Sequence, residues 1–326
     1  YGLTTAIVQV RGRGDAYYRS RLVIPARGLE ADLDPLAEFI REARPHGIEV
    51  QAWVNVFLAA DSSTEDYAHP DHISMTRPGW FLQDGEGRSM LRYSRSERQR
   101  AGVEGAFLDP AIPVVRQYTL EIIREILDHY PVQGIHLDYI RYPASRPGSR
   151  DFGVASALRS AGVKEANRDR SAEIRSRFVT RMVRDIHRLR AEYKVKLTAA
   201  VWPNRARMEQ EIFQNWPYWV EKGWIDQAYV MAYYNRKDLF DSRMQELARP
   251  ALERKMVIGV GLYLNPGPEL TWHQLNHARS RNMAGISYFD ARFFLDPANR
   301  ETLENHRFED KFGLTLRPGR NVEGKK

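Results

Sequence analysis

Seven short apolar segments recur along this chain, each running into polar, aromatic or glycine-rich sequence, with amphipathic stretches between them. They are Thr5–Val10, Ile48–Phe57, Gly134–Ile140, Lys196–Trp202, Gln227–Tyr233, Met256–Tyr263 and Gly285–Phe289. Among the intervening stretches, Ile112, Val115, Ile122, Ile123 and Ile126 fall on one side of a helix, as do Ile174, Phe178, Met182, Ile186 and Leu189. Strand and helix in alternation predict a parallel sheet, because parallel neighbours need a crossover long enough to hold a helix.

The strands carry a second signal. In Ala6-Ile7-Val8-Gln9-Val10-Arg11 the valines take one face and Gln9 and Arg11 the other; in Val50-Gln51-Ala52-Trp53-Val54-Asn55-Val56 the aliphatics separate from Gln51, Trp53 and Asn55. Strands of an open, doubly covered sheet read apolar on both faces, so this split predicts an α/β fold closed as a (β/α)8 TIM barrel with a polar upper interior. Seven strands are one short of eight. Tyr1-Gly2-Leu3 reads as the end of a helix and its turn, which predicts a first strand and helix missing upstream; Phe312–Leu316 is the other candidate for an eighth strand. The expected organisation is a single barrel domain over 1–305, with insertions at 58–108 and 143–172 after two of the strands, and a basic tail over 306–326. Long loops after strand C-termini are where barrels build active sites.

With no cysteine in 326 residues, disulfides, thiolate nucleophiles and zinc–cysteine sites are excluded, and either redox compartment is allowed. No run has the length and apolarity of a membrane span. The net charge of +7 is partly carried by the tail with Arg320, Lys325 and Lys326, and no nucleic-acid-binding module or dense basic stripe is present.

Several strand ends carry motifs in order: Val10-Arg11-Gly12-Arg13-Gly14-Asp15-Ala16-Tyr17-Tyr18, Ala52-Trp53-Val54-Asn55, Leu108-Asp109-Pro110, the run Gly134 to Pro143, and Val230-Met231-Ala232-Tyr233. Together, over roughly residues 1–290, they resemble the glycosyl-hydrolase-like family 10 proteins, the DUF187 group. The resemblance implies a TIM-barrel glycosidase, typically an exported bacterial protein (periplasmic, cell-surface or extracellular) acting on cell-wall or other extracellular polysaccharide. It also implies a distant relation to barrels whose nucleophile is an aspartate at the end of strand four, where Asp138 falls if one strand precedes the visible ones.

Glycoside hydrolysis uses two carboxyl groups flanking the scissile bond. Asp138 is expected to be the ionised one, with Arg141 three residues on favouring its charged form, and His136 one layer deeper. The second is harder to place, because the strands ending at Tyr233-Tyr234-Asn235 and Tyr263 offer no acid. Asp290 and Asp15 lead, with Asp109, Glu104 and Glu86 behind them; Asp109, before a proline and a helix, reads as an N-cap. A non-catalytic carbohydrate-binding barrel is the alternative.

For substrate binding, Arg11, Arg13 and Arg141 gather at the predicted barrel mouth, with Arg205, Arg236 and Arg292 as further members of a ring that suits an anionic sugar or, equally, neutralises the site aspartates. Asn55, Trp80, His136, Tyr139, Trp202, Tyr233, Tyr234 and Tyr263 supply polar and aromatic contacts, while Trp53, Trp216, Trp219 and Trp224 read as packing. Gly12-Arg13-Gly14 lacks a phosphate-loop pattern, and Asp66, His69, Asp71 and His72 match no standard metal spacing. No cofactor or metal is expected.

Overall fold

The structure, a computed structural model, describes residues 3–60, 69–144, 151–264 and 268–292. Seven parallel strands run in sequence order through one sheet: β1 (Thr5–Arg11), β2 (Glu49–Asn55), β3 (Gly134–Asp138), β4 (Lys196–Val201), β5 (Gln227–Met231), β6 (Met256–Gly261) and β7 (Gly285–Phe289). The crossovers carry helices α1 (Pro35–Ala43), α2 (Pro113–His129), α3 (Arg168–Ala191), α4 (Trp216–Glu221), α5 (Lys237–Glu246) and α6 (Pro268–Ser280).

Helix starts follow local chemistry. Asp34 accepts the Ala37 N–H ahead of Pro35, and Asn167 accepts the Arg170 N–H at the start of α3. Of the expected apolar stripes, Val115, Ile122, Ile123 and Ile126 of α2 and Met182 and Ile186 of α3 are fully buried in the main core, joined by Val179 and Val183 and by Val54, Ile135, Leu137, Leu197, Ala199 and Val201 on the strands, while Ile174 and Phe178 pack in a separate small cluster with Ala111 and Ala157. Each buried Val, Leu or Ile contributes about 1.5–3 kcal/mol, which makes this outer layer the main adhesive of the fold.

The sheet curls. Trp53 of β2 and Phe289 of β7 lie five strands apart in the sheet order, yet their rings meet at 6.2 Å between centroids. Closure is incomplete among the described residues: β1 and β7 are not hydrogen-bonded to each other, and the candidate eighth strand at Phe312–Leu316 lies outside the described residues. The tail at 306–326 lies outside it as well. Within the 58–108 insertion, a short antiparallel pair, Leu58–Ala60 with Ala106–Phe107, folds back over the end of β2 and is followed in sequence by α2.

One departure from simple alternation matters for the site. The β1–β2 register shifts between Gln9 and Arg11, so Gln9 pairs with Trp53 while Arg11 pairs with Val54. This bulge turns Arg11 to Val54's face, away from the interior.

Candidate active site

All seven strands point their C-terminal ends the same way, and there the polar interior opens into a cavity of about 1900 Å³. Its lining includes the carboxylates Asp15, Glu104, Asp138 and Asp290, and the aromatic rings of Trp53, Tyr139, Trp202, Tyr233, Tyr234, Tyr263 and Phe289. It runs down between Thr5–Gln9 of β1 and Gly285–Phe289 of β7.

At the floor, polar side chains satisfy one another. Thr198 donates to Gln51 Oε1 at 2.7 Å and receives the His136 ring nitrogen at 2.8 Å, which assigns His136 as the Nδ1–H tautomer. Gly134 makes room for this layer, since a Cβ there would stand 2.9 Å from Gln51 Cγ. Burial pushes His136 down to about 3, so it is neutral. It is a satisfied interior histidine whose ring edges meet Trp53 and Tyr229.

Two residues up the same face, Asp138 has a different environment. Its Oδ1 accepts the Tyr139 N–H at 2.7 Å, and no ion-pair partner contacts it among the described residues. Burial pushes its carboxyl up to about 6, outweighing the pull of the Tyr139 N–H, Arg141 and Arg13, while Glu104 adds to the rise. Arg141 does favour the charged form of Asp138, but desolvation outweighs it, and Arg141 makes its ion pair with Glu104, 3.1 Å away. Tyr139 also breaks the expected alternation. Its φ of 49° is left-handed, so it turns out of the strand pattern and lines the cavity beside Asp138, under the guanidiniums of Arg141 and Arg13 at 4.8 and 5.7 Å.

Around this centre, Asn55 acts as a clamp: it accepts from Trp53 Nε1 at 2.9 Å and donates to the Gly12 carbonyl at 2.8 Å. Tyr233 reaches across the cavity because β6 presents glycine there; a Cβ on Gly261 would lie 3.2 Å from its ring. It stacks on Phe289 at 5.5 Å with the planes 18° apart, and Tyr263 closes the group at 6.3 Å. The Tyr233 hydroxyl is held well above its ordinary value, by burial first and then by Asp138, Tyr263 and Asp290. Opposite, Trp202 lies under Arg207 at 4.5 Å and Arg141 at 5.3 Å.

Of the sequence candidates, Arg13, Asp15, Asn55, His136, Asp138, Tyr139, Arg141, Trp202, Tyr233, Tyr234, Tyr263 and Asp290 all line the cavity. Arg11 and Trp80 do not. The bulge buries Arg11 completely, with Nη1 bonded to the Asn55 carbonyl, and Trp80 packs against Tyr118 and Arg77 in a turn of the insertion. Arg205, Arg236 and Arg292 are paired to Glu209, Asp238 and Asp290 rather than aimed at the interior. Arg207 takes that place; a helix beginning at Arg205 turns every second residue to a different side, a signal legible only once the helix start is known. Asp290 is gripped by Arg292 through both oxygens, which lowers its carboxyl and suits it poorly to donate a proton. Asp15 folds back to accept the Arg13 N–H at 2.7 Å. Asp109 accepts the Ala111 N–H in the turn before α2, whose cap position is Ile112. His72 bonds to Ser74 and the Arg13 carbonyl, and Asp66 lies outside the described residues.

A curled parallel α/β sheet with carboxyl groups and sugar-sized aromatic surfaces at its C-terminal end is the scaffold of the barrel glycoside hydrolases. Residues 2–267 match the family described as glycosyl hydrolase-like 10, and the chain belongs to that family. It is similar to glycosyl hydrolase DigH of Escherichia coli K12, 24% identical over 291 residues covering 80% of this chain and 63% of DigH. The chain thus spans somewhat under two thirds of that relative's length. The PgaB (BpsB) glycoside hydrolase domain of Bordetella bronchiseptica shares the fold at a TM-score of 0.64 and 15% identity, over 92% of this chain and 87% of that one. The catalytic domain of beta-amylase from Paenibacillus polymyxa superposes at 0.54 and 10% identity, over 88% and 85%.

Proposed function

We propose that this protein is a glycoside hydrolase that cleaves O-glycosidic bonds by carboxylate acid/base catalysis centred on Asp138. The observation that carries the reading is a carboxyl group desolvated at the strand C-termini, raised to about 6, and facing a cavity walled by aromatic rings. A group titrating there is ionised at neutral pH yet able to carry a proton a little below it, the condition for acid/base work. Family membership and the glycosidase neighbours support the same chemistry.

The substrate we infer is a bacterial cell-wall or extracellular polysaccharide met by an exported protein. Arg13, lining the cavity beside Asp138 with no ion pair among the described residues, supports a sugar that bears a negative charge. No helix among the described residues is long and apolar enough to cross a membrane.

The test is digestion of a panel of bacterial glycans by wild type and Asp138→Asn, followed by mass spectrometry. Cleavage by wild type that falls about 10³-fold in the variant is expected. Equal cleavage overturns the role of Asp138, and binding without cleavage by wild type makes the protein a carbohydrate-binding barrel.

A further inference from the structure

One carboxyl group that lines the cavity comes from the 58–108 insertion and not from a strand end. The helix Arg95–Ala101 stops at Gly102, left-handed at φ 76°. Three residues on, Gly105 is packed so tightly that a Cβ would stand 2.3 Å from the Ala60 carbonyl oxygen. Only glycine lets the Ala106–Phe107 strand close on Leu58–Ala60. Between these two glycines Val103 is buried, and Glu104 lines the cavity.

Glu104 is held there by charge. Its Oε1 lies 3.1 Å from Arg141 Nη2, with the arginine side chain 4% exposed and the glutamate 38%. Arg141 is in turn fixed over the Tyr139 and Trp202 rings. Among carboxylates, Glu104 is the one whose charge bears most on Asp138, and it acts on Tyr139 as well. The two carboxyl groups differ as a catalytic pair must: one is enclosed with no cation in contact, the other is ion-paired and open to water.

We propose that Glu104 is the second catalytic carboxyl group and that Asp138, expected from the sequence to be the ionised one, is instead the proton donor: Asp138 gives its proton to the departing glycosidic oxygen and Glu104 takes the proton of the water that attacks the anomeric carbon. The C–O bond's electron pair leaves with the protonated oxygen, the water oxygen bonds to the carbon, and proton transfer from Glu104 through solvent restores Asp138. One water is consumed and each fragment gains a hydroxyl. This assignment rests on the glycosidase reading.

The experiment has two arms. In the first, Glu104→Gln and Asp138→Asn are assayed on the glycan that wild type cleaves and on a 2,4-dinitrophenyl glycoside of the same sugar, whose leaving group needs no proton. Glu104→Gln should lose about 10²-fold or more on both, and Asp138→Asn should be spared on the dinitrophenyl substrate. Wild-type rates in Glu104→Gln, or the opposite leaving-group pattern, overturn the assignment. In the second arm the Asp138 carboxyl is titrated by carbon NMR in wild type and Glu104→Gln. Loss of the neighbouring charge should lower its midpoint; an unchanged midpoint also overturns the pairing. A wild type that cleaves no glycan sinks the glycosidase reading alone, and the titration still decides whether the two groups form a pair.

Discussion

His136 and Asp138 stand two residues apart on the same strand face, and the layers they belong to could hardly differ more. In the lower layer every polar group is answered: His136 by Thr198, Thr198 by Gln51, with Trp53 and Tyr229 ring edges closing the space. In the upper layer Asp138 is desolvated with no cation in contact among the described residues, Tyr139 is held at positive φ, and arginines hover over rings instead of pairing with the central carboxylate. A buried polar group with its partners in place is architecture; one left short of partners keeps free energy that a ligand or a proton can claim.

Breaking the upper layer should give the largest effect. Asp138→Asn is expected to cost about 10³-fold in kcat/KM while making the protein more stable at pH 8, because it removes a desolvated charge whose carboxyl is raised to about 6. Chemical denaturation beside kinetics checks both signs together. The same group sets a pH dependence. Its folded-state value of about 6 lies above the ordinary carboxylate value of 3.8, so its stabilising contribution is complete below about pH 4 and is lost as pH rises through 6. Wild-type stability measured from pH 4 to 7.5 should show this fall, and Asp138→Asn should abolish it.

Breaking the lower layer should look different. Thr198→Val leaves the His136 N–H and the Gln51 carbonyl without their partner and should cost about 1–3 kcal/mol of stability, with the Asp138 titration midpoint unmoved. A shifted midpoint would show that the layers are coupled. The smallest effect is expected at the rim: Tyr263, 62% exposed, meets the Tyr233 and Phe289 rings edge to face. Tyr263→Ala should raise KM a few-fold, leave kcat alone and change stability by no more than about 0.5 kcal/mol.

Much of this was legible in the chain. The alternation of Val10 with Gln9 and of Val54 with Asn55 announces an outer apolar layer and a polar interior, and the order of the strand segments matches the order of strands in the sheet. Asp138, Tyr233 and Trp202 could be placed because strand ends of a parallel barrel converge. Arg11 was misread because a one-residue bulge reverses the face of everything after it, and nothing in the local sequence marks the bulge. Glu104 stood behind Asp290 and Asp15 among the sequence candidates for a related reason. Glu104 sits in an insertion, where no periodicity ties a residue to the interior; its position follows from two glycines and from Arg141 reaching back across thirty-seven residues of sequence.

What the sequence determined by itself is the fold class and the strand-end origin of most of the site, since side-chain periodicity and crossover length are local properties with global consequences. Only the tertiary structure decided which polar groups are satisfied and which are left exposed to chemistry. Desolvation and ion pairing depend on what arrives from other parts of the chain: Thr198 comes to His136, Glu104 comes to Arg141, and no cation among the described residues comes to Asp138.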